Sequence, residues 1–274
     1  MSTRKKFVIL FSAYVVVLLG FVFVCFKGQV TIKSFLLRNL SSVYEPYLQR
    51  QCMPYVKKYL DRPAYREQLY EEELTIFVND ILLKNRIMDK KAVVLIAKDN
   101  DIAFAEARVA FVADLIDSYF ILVQREFYDN YPREVVHAVL CHEIGHIVAN
   151  DNLMRLCIYE ETIIPIQIFV VVLGLLSATL LGFAKAQIAS VGLLFFCAGN
   201  VAYSIAFSSW VQRQELAADS FAVKICGLTA VTRMLYAFAD LAPEGEGRMF
   251  SIWQRLFAAH PSYERRIFAV NKLA

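Results

Sequence analysis

The sequence predicts a mostly helical α+β fold, with a small sheet, a transmembrane helical hairpin that interrupts the main domain, and an N-terminal membrane anchor. Hydrophobic residues make up 58% of the 274 residues, well above the roughly 45–50% of soluble domains. Three long runs carry no charged residue. A segment rich in Val and Ile lies between amphipathic helical stretches, which is typical of short strands. Together these features predict a membrane protein with one globular domain.

The three uncharged runs are predicted to span a membrane. They are Phe7–Phe26, Ile163–Ala184 and Ile188–Trp210. As helices, each would be about 30 Å long, which is the thickness of the hydrocarbon core. The alternative for any single run is a buried core helix. The first run follows a basic lead and lacks a small-residue cleavage site, so we predict an uncleaved anchor.

These runs divide the chain. Residues 1–27 form the anchor, residues 28–91 an amphipathic helical region, and residues 92–274 the main domain with its membrane hairpin at 163–210. We expect a multi-pass integral protein of a plasma or inner membrane, with the lipid bilayer as a partner. Basic residues near the span ends do not decide which side holds the domain. The net charge of +3, without a basic stripe, predicts no nucleic-acid partner.

The main domain begins with the predicted sheet. Ala92–Ala97, Ile102–Val112 and Tyr119–Gln124 read as strands separated by turns that contain Asp or Asn. We therefore predict about three strands. Pro132 suits the first turn of the helix that follows, which is predicted over Arg133–Asn150.

Further helices follow the predicted hairpin, whose tip is Lys185–Gln187. Arg213–Cys226 is predicted to be helical and to end at Gly227, since glycine favours helix termination. Thr229–Leu241 forms the next predicted helix, and a last helical piece begins at Met249. The domain thus ends in helices, which makes the fold mostly helical.

The strongest chemical signal is His142-Glu143-Ile144-Gly145-His146. Two histidines at positions i and i+4 lie on one helix face, where both can bind a single cation. Glu143 lies beside that face and can activate a water molecule without binding the metal. This H-E-x-x-H pattern predicts a zinc site, with one ion per chain. The alternative is a pair of unrelated helical histidines.

A catalytic zinc site needs a third protein ligand. Glu215 is the best candidate, and Asp219, one turn later, can orient a ligand histidine. The alternative is that both carboxylates belong to a solvated face. Their apolar neighbours predict a buried helix instead, and a buried carboxylate needs a metal or a cation as partner. Two predicted spans separate Glu215 from His146 and return the chain to the same side of the membrane.

Over roughly residues 90–270, the chain resembles the HtpX-type membrane peptidases, which are relatives of the CAAX prenyl endopeptidases. The resemblance lies in H-E-I-G-H at 142–146, the hairpin, E-L-A-A-D at 215–219, and His260-Pro261 with Arg266-Ile267. It implies a zincin-type fold in a gluzincin arrangement, with Glu215 as third ligand and residues 92–274 as a zinc metallopeptidase domain. The chain departs from this family in having one predicted N-terminal span instead of two.

The resemblance also implies roles for residues around the cleft. Residues 100–105 resemble the edge strand that pairs with the substrate backbone, so Ala103, Phe104 and Ala105 are predicted to bind substrate. Ile102 stands where the family usually has Asn. His260 and Arg266 are candidates for stabilising the oxyanion of the tetrahedral intermediate. The alternatives are a loop or helix-capping role for His260 and an ion pair with Asp219 for Arg266.

These residues predict an integral-membrane zinc endopeptidase. Glu143 would take a proton from the attacking water and deliver it to the leaving amine. The hairpin inside the domain predicts protein or peptide substrates that are membrane proteins, as in membrane-protein quality control. One alternative is a catalytically silent membrane chaperone or scaffold that kept the peptidase fold. Another is a zinc hydrolase that acts on bonds other than peptide bonds.

Overall fold

A computed structural model describes residues 68–87, 90–97, 110–114, 118–151, 168, 171–172, 174–176, 178–180, 184–241, 258 and 260–273. The predicted anchor at 1–27 and the predicted substrate-binding residues Ala103, Phe104 and Ala105 lie outside these ranges. The chain divides into two compact units. One comprises residues 1–40 and 154–210, and the other comprises residues 41–153 and 211–274.

The described elements confirm the predicted α+β, mostly helical fold. Six helices and three strands have bounds within the described residues, and further helical positions occur at residue 151 and between residues 168 and 180. The helices are α1 (Gln68–Lys84), α2 (Arg125–Asn130), α3 (Arg133–Ala149), α4 (Lys185–Cys226), α5 (Leu228–Leu241) and α6 (Tyr263–Asn271), and the strands are β1 (Lys91–Ala97), β2 (Ala110–Asp114) and β3 (Ser118–Gln124).

The sheet has the order β1-β3-β2, which confirms the predicted three strands. β1 runs parallel to β3, with Lys91 opposite Ser118, and β2 runs antiparallel to β3, with Ala110 opposite Val123. The central strand β3 is buried over five consecutive residues. Such an unbroken apolar run is typical of a strand covered on both faces. The second predicted strand, 102–112, overlaps β2, and its residues before 110 are not among the residues that the structure describes.

Helix α1 closes the outer edge of β1 with polar side chains. The side-chain amide of Asn79 donates to the carbonyl of Ala92 at 2.7 Å, and its oxygen accepts from the Ala92 N–H at 2.9 Å. The N–H of Val94 donates to the hydroxyl of Thr75 at 2.9 Å. Because a bare strand edge leaves backbone groups unpaired, these bonds satisfy groups of Ala92 and Val94. Among the described residues, β2 is the outer strand on the other side of the sheet.

Helix α4 joins two predicted elements into one. The sequence predicts a span at Ile188–Trp210 and a separate helix at Arg213–Cys226, whereas the structure has one continuous helix from Lys185. The predicted hairpin tip at 185–187 is therefore wrong, since these residues already belong to the helix. No Pro or Gly lies between Trp210 and Arg213, so nothing breaks the helix there. It ends before Gly227, as predicted, with the glycine at a φ of 84°.

The N-terminal half of α4 exposes large apolar side chains. Leu193 is 66% exposed and Phe196 is 46% exposed. Within the residues that the structure covers, the stretch Gly192–Cys226 is the one helix long and apolar enough to cross a membrane. The other predicted limb of the hairpin, 163–184, is described only at scattered helical positions.

Candidate metal centre

Three buried side chains from two helices converge at one point. His142 and His146 come from α3, and Glu215 comes from α4. The Nε2 atoms of the two histidines lie 3.2 Å apart. The carboxylate of Glu215 places Oε2 at 3.4 Å from Nε2 of His142, and Oε1 at 3.4 Å from Nε2 of His146. The structure thus brings together the three predicted ligands.

These separations fit a zinc ion. Ligand atoms at about 2.0–2.1 Å from a tetrahedral zinc lie about 3.3–3.4 Å from one another. The 3.2 Å between the two Nε2 atoms is close to that spacing, and with one ligand atom from each residue the three atoms lie within 4.8 Å of one another. Two imidazoles and one carboxylate also leave a fourth coordination position open, as a catalytic zinc site requires. The three residues could therefore hold a metal ion.

A glycine allows the two helices to approach closely at this point. An ideal Cβ built on Gly145 would lie 2.9 Å from the Cα of Ala218. Real Cβ atoms do not come so close to backbone, so no larger residue fits without a shift of one helix. Gly145 directly precedes His146, and Ala218 follows Glu215 by three residues, just under one helical turn. The close contact therefore brings the histidines within reach of the carboxylate.

His142 is held by an ion pair behind it. Its Nδ1 lies 2.9 Å from Oδ1 of the fully buried Asp219, which sits one turn after Glu215 on α4. Arg266 donates two hydrogen bonds to the same carboxylate, at 2.8 Å from Nε and 2.6 Å from Nη2. Asp219 thus occupies the predicted orienting position. The geometry of Arg266 favours the ion-pair alternative over a direct role at the oxyanion.

His146 has a carboxylate partner that the sequence reasoning missed. Its Nδ1 lies 2.9 Å from Oδ2 of the buried Asp151. The other oxygen of Asp151 accepts a hydrogen bond at 2.7 Å from the side-chain amide of Gln214. The available signal was an Asp soon after the second histidine, but its position depends on the turn at Asn150, which no hydrophobic pattern reveals.

The carboxylates of Glu215, Asp219 and Asp151 stabilise a positive charge at His142 and His146. Burial lowers the pKa of His146, but hydrogen bonds to Asp151 and Glu215 outweigh this effect and raise it to about 9. Burial likewise opposes the charged form of His142, and hydrogen bonds to Asp219 and Glu215 raise its pKa overall. An environment that favours a proton on these rings also favours a divalent cation between them.

His260 lies at the rim of the site. Its ring is 55% exposed, and Nδ1 lies 3.3 Å from Oε2 of Glu215. Gln212 holds the neighbouring backbone, because its amide donates to the carbonyl of Ala258 at 2.9 Å, while its oxygen accepts from Arg265 at 2.7 Å. The structure therefore places His260 beside the predicted ligands. Its role and that of the half-buried Glu143 stay predictions.

A disulfide also joins the two helices that carry the site. It links Cys141, which directly precedes His142 on α3, to Cys226 at the end of α4. The sequence spacing of the cysteines did not predict this pairing.

Comparison with known proteins agrees with this geometry. The model of peptidase family M48 matches residues 69–274. The crystal structure of Ste24p from S. mikatae superposes with a TM-score of 0.53 at 14% sequence identity, covering 97% of this chain and 64% of that chain. That likeness shows a shared fold, and this chain spans less than two thirds of the length of Ste24p. No curated protein matches the sequence.

Proposed function

The chain belongs to peptidase family M48, and from this membership we propose that it is an integral-membrane, zinc-dependent endopeptidase. The family is one of metallopeptidases. The observation that carries the proposal is the convergence of the buried His142, His146 and Glu215, a ligand set that zinc prefers, within 4.8 Å of one another.

Hydrogen bonds to Asp219 and Asp151 orient the rings of the two proposed histidine ligands. If Nδ1–H of His142 donates to Asp219 and Nδ1–H of His146 donates to Asp151, each ring would have an unprotonated Nε2 with which to hold a zinc ion. When bound, zinc polarises the scissile carbonyl and makes the attacking water more acidic.

Glu143 is proposed as the proton carrier. It lies between the two ligand histidines in sequence and is half-buried on α3. In this role its carboxylate accepts a proton from the attacking water and delivers it to the leaving amine nitrogen. The negative charge that develops on the carbonyl oxygen needs a donor in addition to the metal. We propose His260 as this donor, because its exposed ring lies beside Glu215, and we propose that Arg266 acts by holding Asp219.

The sheet suggests how a peptide could bind. The outer edge of β1 is occupied by side chains of α1, so an extended substrate would pair with the opposite side of the sheet, which ends in β2. The proposed substrate-binding residues Ala103, Phe104 and Ala105 precede β2 in the chain. An antiparallel pairing there would fix the peptide backbone independently of its sequence.

We propose membrane proteins as substrates, in a role in membrane-protein quality control. Glu215 lies on the same continuous helix as the apolar run 188–210. The exposed apolar residues of that run, such as Leu193 and Phe196, suit a lipid environment. A multi-pass protein of the plasma or inner membrane with this helix would meet segments that emerge from the bilayer.

The test is peptide cleavage by the purified full-length protein beside Glu143→Gln. This substitution keeps the size of the side chain but removes the base, so cleavage should fall by a factor of at least about 100 while zinc remains bound. A membrane-protein substrate should be cleaved faster than a soluble unfolded one. Equal cleavage by the wild type and the variant would contradict a catalytic Glu143 and favour the chaperone or scaffold alternative.

A further inference from the structure

The two histidines of the metal centre are hydrogen-bonded to different carboxylates, which are held in different ways. Asp219, behind His142, is paired with the guanidinium of Arg266. Asp151, behind His146, accepts a hydrogen bond from the neutral amide of Gln214. Asp151 is 3% exposed. A buried carboxylate is costly unless it is well bonded, so its position beside His146 calls for an explanation.

We propose that Asp151 is a positioning residue of the metal centre, which fixes the ring orientation and tautomer of His146 and links that ring, through Gln214, to the helix that carries Glu215. The inference rests on the proposed function, because it requires His146 to bind zinc. A carboxylate that accepts from Nδ1–H leaves Nε2 unprotonated for the metal and increases the basicity of the ring.

The local backbone explains how Asp151 reaches the histidine. Helix α3 ends at Ala149, and Asn150 adopts a left-handed conformation with a φ of 53°. Its N–H bonds to the carbonyls of His146 and Ile147. Asparagine tolerates this conformation better than most residues. The reversal brings the next residue back against the last helical turn, where its carboxylate faces Nδ1 of His146.

Consecutive residues of α4 therefore control both nitrogens of one ring. Glu215 lies 3.4 Å from Nε2 of His146. Gln214 acts on the other nitrogen through Asp151, over hydrogen bonds of 2.7 and 2.9 Å. Neighbouring side chains on a helix point about 100° apart, so Glu215 can reach one side of the His146 ring while Gln214 reaches Asp151 on the other side. A shift of α3 relative to α4 would disturb both contacts together.

The first test measures zinc affinity in the full-length protein, by competition with a chromogenic chelator. Asp151→Asn and Asp151→Ala should each lose affinity by a factor of about 10–100, with alanine the worse of the two. Asp80→Asn is the matched control, because it makes the same change at an exposed carboxylate of α1. This control should keep wild-type affinity.

A second pair of variants tests the turn. Asn150→Gly accepts the left-handed backbone and should keep wild-type zinc affinity. Asn150→Val is β-branched, disfavours that backbone, and should reproduce the loss seen for Asp151→Ala. Equal affinity of the glycine and valine variants would overturn the proposed route by which Asp151 is placed.

A third measurement separates positioning from a structural role. We compare the thermal unfolding temperature of each variant with and without zinc. A positioning role predicts that the zinc-induced increase shrinks in Asp151→Asn. If the substitution lowers both temperatures equally and leaves zinc affinity unchanged, Asp151 is only structural and the inference fails. If the wild type itself binds no zinc, the proposed function fails and the inference falls with it.

Discussion

An ideal Cβ built on Gly145 would lie 2.9 Å from the Cα atom of Ala218, at the contact where α3 meets α4. The two helices carry all three candidate ligands, so their separation sets the geometry of the metal centre. The contact is between backbones, which cannot rotate away as a side chain can.

Gly145→Ala should lower both stability and zinc affinity. Alanine is intrinsically better in a helix by about 1 kcal/mol, but overpacking a buried contact costs about 1–3 kcal/mol, and here only a backbone shift relieves it. Gly192→Ala is the control, because its nearest neighbour is a methyl group of the Leu175 side chain. Chelator competition should show a loss for Gly145→Ala alone. Unchanged affinity would mean that the helix separation does not limit the site.

Arg266→Gln should be strongly destabilising. It leaves the carboxylate of Asp219 buried without its cation, at a cost of about 3–5 kcal/mol. Arg266→Lys should recover part of this, since lysine keeps the charge but cannot form the paired hydrogen bonds. Denaturant unfolding measures the difference.

The double variant Arg266→Gln with Asp219→Asn provides the control for that prediction. Removing both charges should cost less than removing the arginine alone, because no unpaired charge stays buried. Additive losses would show that the two residues do not interact in the folded protein.

His137 should make stability depend on pH. Burial lowers its pKa below 6.5, against a smaller opposing effect of Glu73, and its ring stacks on Phe77 at 4.2 Å. The unfolded state therefore binds a proton at a higher pH than the folded state. The contribution of His137 to the free energy of unfolding is therefore complete at pH values above the pKa of the unfolded state, about 6.5. This contribution is lost as the pH falls below that value.

His137→Phe keeps the stacked ring and removes the titration. Thermal unfolding between about pH 7.5 and 5.5 should show a smaller loss of stability in this variant than in the wild type. The other histidines are common to both proteins and cancel in the comparison. Identical pH dependence would contradict a depressed pKa at His137.

Asn79→Leu should weaken the edge of the sheet. It leaves the N–H and carbonyl of Ala92 without their side-chain partner, and each unsatisfied buried group costs about 1–3 kcal/mol. Asp80→Asn, next to it on the exposed face of α1, should be close to neutral. Denaturant unfolding distinguishes the two, and equal stability of both variants would show that water replaces the lost bonds.

Much of the fold could be predicted because local signals matched the final structure. Pro132 and Gly227 mark helix boundaries that the structure confirms at α3 and α4. The Val-rich run of β1 and the buried run of β3 were recognisable from composition. The continuity of α4 was not, because hydropathy divides an unbroken helix into an apolar part and a polar part.

The candidate site was predictable where spacing along a helix encodes proximity. His142 and His146 are one turn apart, and so are Glu215 and Asp219, which makes each pair visible in the sequence. Asp151 was missed, because it reaches His146 through a left-handed turn and not through helical spacing.

Gln212 and Gln214 were missed for a related reason. Their partners are Ala258, Arg265 and Asp151, which lie far away in the sequence. No local pattern encodes such contacts. Only the packing of α4 against its neighbours reveals them.

The most direct test is the zinc content of the full-length protein beside Glu215→Gln and Glu143→Gln. The wild type and Glu143→Gln should each contain one zinc ion per chain after dialysis against a mild chelator. Glu215→Gln should lose most of its zinc, because an amide is a weaker third zinc ligand than a carboxylate. Full zinc occupancy in Glu215→Gln, or none in the wild type, would contradict a metal centre built from these three residues.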